Sequence, residues 1–295
     1  MINTVTTVCE LRHAVKQARQ QGKTVGFVPT MGALHAGHGS LIRQAAGDCS
    51  FIVVSIFVNP SQFRPSEDFT RYPRTLEQDQ KLCHSAGAHL IFAPTVEEMY
   101  GRASFAAGEI ATSTFVEVPG LSDVLEGQSR PGHFRGVSTV VAKLLNQVQP
   151  DKAYFGQKDA QQLAVIRQMA RDLYMPIEIV GCPTRREEDG LAMSSRNRYL
   201  SPEERSHCTV IYHALCEAKE RVQHGEQDAE LLRVIMQGML DDTPGCIRDY
   251  ALVVNPANFQ PLQQVEGEVL AVIAARFGNT RLIDNMLLTA EMSAS

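Results

Sequence analysis

The chain has 295 residues, a formal net charge of −5, 44% hydrophobic residues and 21% charged residues. That length is ample for two folded domains, and the composition is globular, which excludes a large disordered region. The acidic balance argues against bulk nucleic-acid binding, and no apolar run reaches the roughly 18 residues that a membrane span needs.

Residues 8–21 carry Leu11, Val15 and Ala18 at helical spacing, which predicts a helix. Val25, Gly26, Phe27 and Val28 read as a buried strand, and Pro29 is expected to end it because proline has no N–H for a ladder. A glycine-bearing turn follows, and residues 40–46 have the composition of a helix. Residues 51–58 are a continuous β-branched and aromatic run, hence a strand buried on both faces, and 59–63 form a polar loop after it. A helix over 75–86 and a short strand over 89–94 come next. Strands alternating with helices imply βαβ units and a parallel sheet.

From 100 to 136 the pattern weakens. Residues 114–118 read as a strand, and 127–136, with Pro131, Gly132 and two arginines, as a mobile loop. A helix over 137–147, a strand over 152–155, a second strand-to-helix junction at 156–159, a helix over 160–173 and a strand over 177–180 complete the first portion. After Pro183 the style changes. Residues 185–189 are a charge run, and Ser201-Pro202-Glu203-Glu204 opens a helix with a capping box and a proline at its first position. That helix is expected to run to about His224, followed by a helix over 228–240 and strands over 248–254, 269–275 and 281–287. The expected organisation is an α/β domain over 1–183 and a separate α+β domain over 184–295, with a frayed tail from 290. The seven cysteines are scattered, odd in number and without a C-x-x-C pair. They read as reduced thiols in a cytoplasmic protein, and no signal peptide is seen.

In open α/β sheets ligands collect beyond the carboxyl ends of the strands. Three polar clusters fall there: 31–38, 59–62 and 156–159. His35 and His38 sit where the first apolar strand hands over to a helix, and the first turn of a helix attracts anions through its free N–H groups and dipole. Two imidazoles there add donors for a phosphate, although histidines three apart also occur as plain surface or core residues. Lys158 offers a fixed positive charge, or merely opens a solvated helix with Asp159. Ser194-Ser195-Arg196 offers two hydroxyls and a guanidinium for a polyphosphate, or a simple turn before the Ser201 cap. Asn59, Gln62, Gln161 and Gln162 supply amides that orient a hydroxyl- or carboxyl-bearing substrate. His13, His84 and His133 lack partners at metal spacing and are taken as structural. No Walker-type phosphate loop and no G-x-G-x-x-G after a strand is present.

Six boxes in order carry a resemblance. They are residues 31–38 (MGALHAGH), 58–63 (VNPSQF), 72–75 (YPRT), 156–162 (GQKDAQQ), 189–197 (DGLAMSSRN) and 281–285 (RLIDN). Together, over about residues 3–288, they resemble the pantoate–β-alanine ligase family, of the His-x-Gly-His nucleotidyltransferase superfamily. The resemblance implies a Rossmann-like parallel-sheet domain, a smaller C-terminal lid and a homodimer. It implies ATP-dependent condensation of (R)-pantoate with β-alanine to pantothenate, AMP and pyrophosphate through a pantoyl adenylate, with Mg²⁺. By similarity, ATP is held by Met31, Gly32, Ala33, Leu34, His35, Ala36, Gly37 and His38, by Gly156, Gln157, Lys158 and Asp159, and by Arg185, Met193, Ser194, Ser195 and Arg196. His35, His38 and Lys158 are the implied catalytic residues, with His38 a proton donor. Gln62, Gln162 and Asn59 are implied to hold pantoate, Gln62 also β-alanine, and Asp79 is the candidate Mg²⁺ ligand. Departures are small: Gln157 stands where the family often has glutamate, Ala36 in a variable slot, and Arg185 where an apolar residue often lies near adenine. Loops 60–70 and 127–136 are the candidates for closure. The alternatives are a nucleotidyltransferase of the same superfamily acting on another small acid or phosphate, and a non-catalytic nucleotide-binding regulator.

Overall fold

The computed structural model describes residues 2–64, 67–101 and 114–290. Part of the expected closing loop at 60–70 and all but the first residue of the expected tail lie outside the described residues. The chain divides into two compact units, residues 1–157 with 161–183, and residues 158–160 with 184–295.

The first unit is built on a six-stranded parallel sheet of β1 (Asn3–Val5), β2 (Val25–Thr30), β3 (Phe51–Ile56), β4 (Leu90–Phe92), β5 (Lys152–Gly156) and β6 (Glu178–Cys182), in the order β1-β4-β3-β2-β5-β6. Helices α1 (Val8–Gln20), α2 (Ala36–Asp48), α3 (Leu76–Ser85), α4 (Val96–Tyr100), α5 (Glu126–Ser129), α6 (His133–Val148) and α7 (Ala160–Asp172) connect the strands. Neighbouring strand residues point to opposite faces. Phe27 and Val53 therefore join the core of Leu11, Val15, Leu145 and Ile166, from α1, α6 and α7. Val28, Ile52 and Val54 join the other core, with Ile42 of α2 and Cys83 of α3. Two buried faces are why these strands read as unbroken apolar runs. Phe27 and Ile52 are wholly buried, each contributing roughly 1.5–3 kcal/mol through lost water contact.

Several elements differ from expectation. Pro29 lies inside β2, in register with Ser55. Phe57 N donates to Thr30 O, so Thr30 faces β3 and the Pro29 nitrogen faces β5, whose pairing with β2 covers Gly26 and Phe27; the missing N–H falls beyond that ladder. Residues 114–118 form no strand. The Val116 N–H donates to Thr139 Oγ1, and its carbonyl accepts from Ser138 Oγ, so helix side chains take both groups a ladder would use. The stretch 127–136, expected as a loop, holds α5 and the first turn of α6. Gly136 makes that possible, since a Cβ there would stand 2.4 Å from Ser61 O, and α6 closes directly on the turn at 60–62.

The second unit has helices α8 (Pro202–His207), α9 (Val210–Gln223) and α10 (Ala229–Asp241) and an antiparallel sheet β7 (Cys246–Val254), β8 (Glu268–Phe277) and β9 (Thr280–Thr289). Ile211 and Leu215 of α9 and Leu232 and Met236 of α10 share a core with Val269, Ala271 and Ile273 of β8. The one long helix expected from Ser201 is two. At the break, Cys208 Sγ donates to Arg205 O and Thr209 Oγ1 to Ser206 O, and such local bonds compete with the helical ladder. Among the described residues no helix is long and apolar enough to cross a membrane.

Candidate functional site

In the first unit the chain leaves β2 at Thr30 and turns through Gly32 (φ +82°) and Ala33 (φ +50°). The turn is held from outside. The buried Asp79 carboxylate accepts the N–H groups of Ala33 at 3.0 Å and Leu34 at 2.8 Å, and the Thr75 hydroxyl at 3.1 Å. A Cβ at Gly32 would sit 3.1 Å from Asp79 Oδ2, on a backbone that side chains rarely adopt. Asp79 was expected as a Mg²⁺ ligand; its oxygens are spent on the backbone instead. Among the described residues no group of three or more His, Cys, Asp or Glu is placed to hold a metal ion.

The turn delivers His35 to the N-cap of α2, which begins at Ala36 and not near residue 40. Histidine is not among the usual capping residues, which hid the start. His35 Nδ1 accepts the Gly37 N–H at 3.2 Å, and His38 Nδ1 accepts the His35 N–H at 3.3 Å. The ring centroids are 4.1 Å apart. Because each Nδ1 is an acceptor, the neutral rings carry their protons on Nε2. The result is two N–H donors beside the positive end of a helix, a setting for an anion. Met31 and Gly32 also line a cavity of about 280 Å³ with Ile56, Arg74 and Thr75.

The turn after β3 carries Asn59 and Gln62. Asn59 is buried, and its amide is fully used. Its Nδ2 donates to Gln62 Oε1 (3.1 Å) and Gly136 O (3.3 Å), while Oδ1 accepts from Tyr100 Oη (2.7 Å), Ser61 Oγ (3.0 Å) and Ser61 N (3.3 Å). Asn59, expected to touch pantoate, is thus built as the support of Gln62. The Gln62 Nε2 faces the Met31 thioether at 3.1 Å, a weak acceptor that a better one displaces readily. Gln162 is half-buried on the first turn of α7. Its neighbour Gln161, offered as a substrate amide, is buried and binds Glu126 N, Leu121 O and Val124 O. Gly156 ends β5 and Gln157 follows it, exposed.

Lys158 and Asp159 cluster with the second unit. The Lys158 carbonyl accepts from Asn285 Nδ2 at 2.8 Å. Ser194 Oγ caps a short 3-10 turn, residues 195–199, by accepting the Arg196 N–H at 3.2 Å, and Ser195 is buried within it. The loop is braced by Asn197, whose Nδ2 donates to Glu187 Oε1 and Ala192 O. Arg185 is exposed, and its carbonyl accepts the Met193 N–H at 3.0 Å. Arg186 pairs with both oxygens of buried Asp284, at 2.5 and 3.2 Å, and lies 4.6 Å from the Tyr212 ring centre. Burial pushes the Asp284 carboxyl up, with Arg186 pulling the other way. The charge run at 185–189 is therefore internal wiring as much as surface: Glu187 and Asp189 both pair with Arg205.

The sequence gives no site role to Tyr100, Arg130, His133, Arg186 or Asp284. The signals are thin. His133 reads as structural because it lacks metal spacing, and the residue that binds its ring, at 3.0 Å, is Arg130 three positions earlier.

The family described as pantoate-beta-alanine ligase matches residues 3–287. Pantothenate synthetase from Pseudomonas entomophila is 52% identical over 290 residues, 98% of this chain and 99% of the relative. That from Acetivibrio thermocellus is 48% identical, over 96% of this chain and 98% of the relative. Among solved structures, pantothenate synthetase from Thermus thermophilus aligns with a TM-score of 0.90 at 47% identity, over 97% of this chain and 99% of that one. Pantoate-beta-alanine ligase from Francisella tularensis, complexed with beta-gamma ATP and beta-alanine, aligns with a TM-score of 0.78 at 32% identity, over 97% and 98%.

Proposed function

The chain belongs to the pantoate–β-alanine ligase family, and from that premise we propose how its residues carry the reaction it catalyses, the ATP-dependent joining of pantoate to β-alanine. A carboxylate is a poor acyl donor. One pantoate carboxylate oxygen attacks the α-phosphorus of ATP in line, the bond to the β-phosphate oxygen breaks, and pyrophosphate leaves. The resulting pantoyl adenylate is attacked at its acyl carbon by the free amine of β-alanine. AMP departs, and pantothenate forms.

Little covalent chemistry falls to the protein, so positioning and charge stabilisation carry the rate. The Nε2–H groups of His35 and His38 donate to oxygens of the reacting phosphate as charge builds on them. This assignment is supported by the main-chain N–H bonds that both Nδ1 atoms accept, which are the observation that carries the reading. Lys158, Ser194, Ser195 and Arg196 take the departing pyrophosphate, with Lys158 anchored through its carbonyl by Asn285. Gln62 and Gln162 hold pantoate, and Gln62 places β-alanine. Magnesium enters with the triphosphate as the counter-ion of the substrate, an ion that ordinarily keeps water and phosphate ligands; Asp79 does not fit as its ligand. The working enzyme in this reading is a cytoplasmic homodimer.

Isotope exchange between pyrophosphate and ATP tests the first half alone. Exchange is expected to require pantoate and not β-alanine, and to fall by orders of magnitude in Lys158→Ala with the fold intact. Exchange indifferent to pantoate, or a nucleotidylated product that persists when β-alanine is present, overturns the course proposed.

A further inference from the structure

Gln62 is held at its main chain as well as at its side chain. His133, at the start of α6, donates from Nδ1 to the Gln62 carbonyl at 2.9 Å. Its other nitrogen, Nε2, receives Arg130 Nη1 at 3.0 Å. Arg130 is in turn fixed by Glu67, through Nε to Oε1 at 2.8 Å and Nη2 to Oε2 at 2.6 Å, with both side chains largely buried. A guanidinium has no lone pair to offer. Facing Nε2, it therefore imposes the Nδ1–H tautomer, the one form that can donate to a carbonyl. The pKa agrees with this geometry: burial and the Arg130 charge push the imidazole down to about 4, so it stays neutral.

The two restraints on Gln62 are complementary. Asn59 fixes the side-chain oxygen, and His133 fixes the peptide from which that side chain springs. What remains is the Nε2 amide, set against a thioether. We propose that His133 is a positioning residue for the acid substrate: with Arg130 locking its tautomer, it clamps the Gln62 carbonyl and aims the Gln62 amide at pantoate. This rests on the reading that Gln62 binds pantoate. The network supplies no atom to the reaction. Its effect is on where an amide N–H stands, and hence on pantoate more than on ATP.

The test is steady-state kinetics on the full chain, with each substrate varied in turn. His133→Ala leaves the carbonyl only the long contact from Arg130 Nη2 at 3.4 Å and is expected to raise the pantoate KM roughly tenfold, the factor that about 1.4 kcal/mol produces. The ATP KM is expected to stay put. His133→Asn keeps an amide N–H near the carbonyl and is expected to recover most of the loss. Arg130→Met frees the tautomer and removes the 3.4 Å contact from Arg130 Nη2 to the same carbonyl, and it is expected to shift the pantoate KM in the same direction; these two variants carry the comparison if His133→Ala does not fold. In a Gln62→Ala background, His133→Ala is expected to add nothing. Equal shifts in the ATP and pantoate KM values, no recovery in His133→Asn, or additivity with Gln62→Ala overturns the clamp. A Gln62→Ala enzyme with unchanged pantoate KM overturns the Gln62 assignment itself, a separable failure.

Discussion

Asp79 Oδ1 accepts the main-chain N–H of Leu34 at 2.8 Å, across 45 residues of sequence. The bond makes the turn after β2 a fixed feature of the first unit, because Oδ2 holds the adjacent N–H of Ala33 as well. A carboxylate facing two backbone donors cannot be exchanged for an amide without turning an NH2 group toward an N–H. Asp79→Asn is expected to lose roughly 1.5–3 kcal/mol of stability, the usual worth of a bond to a charged acceptor, measured by urea unfolding. Its Mg²⁺ requirement, titrated in the ligation assay, is expected to match the unmodified protein. A shifted metal requirement with unchanged stability would return Asp79 to the role of ligand.

In the course proposed above His38 has two jobs on two nitrogens, the observed Nδ1 bond to the His35 N–H and the proposed Nε2 donation to phosphate, and one substitution separates them. Asparagine at 38 can accept the His35 N–H through Oδ1 but has nothing in place of Nε2–H. His38→Asn is expected to unfold near the normal temperature while pyrophosphate exchange falls by roughly 10²–10³, the cost of one lost donor to a developing oxyanion. His38→Ala is expected to lose the cap too, about 1 kcal/mol. Normal exchange in His38→Asn would remove His38 from the chemistry.

Much of this was legible in sequence, for physical reasons. Strands buried on both faces leave unbroken apolar runs, and Val53 and Phe27 announced theirs. The glycines and histidines of 31–38 lie close together along the chain, so their turn could be read locally. The failures were tertiary. Nothing near Asp79 in sequence says that its oxygens belong to Ala33 and Leu34. Pro131 and Gly132 have the composition of a loop, yet contact between Gly136 and Ser61 decides that a helix starts there. Pro29 reads as a stop, and what keeps it in β2 is the extent of the β5 ladder.

Acid stability should register His133. The unfolded imidazole binds its proton near pH 6.5, the folded one only near 4. Between those values the unfolded chain holds more protons, so stability is full above pH 6.5 and drains away as pH falls toward 4. The groups acting on the ring are Arg130, which pushes the same way as burial, and Glu126 and Glu67, which oppose it. Glu67, which burial pushes up but its bonds and ion pair with Arg130 hold below the usual carboxylate range, adds a loss of the same sign at lower pH. The His133 part amounts to roughly 2–3 kcal/mol. Chemical unfolding across pH 7 to 4 is expected to show a shallower decline in His133→Gln than in the unmodified protein. Parallel declines would mean that the ring is protonated in the fold.

Arg186 and Asp284 give the second unit its most consequential pair. Asp284 is 4% exposed, and Arg186 meets it with two nitrogens while also donating to Gly190 O at 3.0 Å. Burying a carboxylate is costly, and the planar guanidinium offsets that cost through fixed, paired donors that an ammonium lacks. Arg186→Ala strands the charge and is expected to cost roughly 3–5 kcal/mol. Arg186→Lys is expected to recover only part, since one point charge cannot serve two oxygens and a carbonyl. Removing the charge together with its partner, as in Arg186→Met with Asp284→Leu, is expected to be far milder than Arg186→Ala alone, because no buried ion is left unmatched. The ranking is read from guanidinium-chloride midpoints at neutral pH. A double variant as unstable as the single one would locate the damage in lost packing against Tyr212, not in electrostatics.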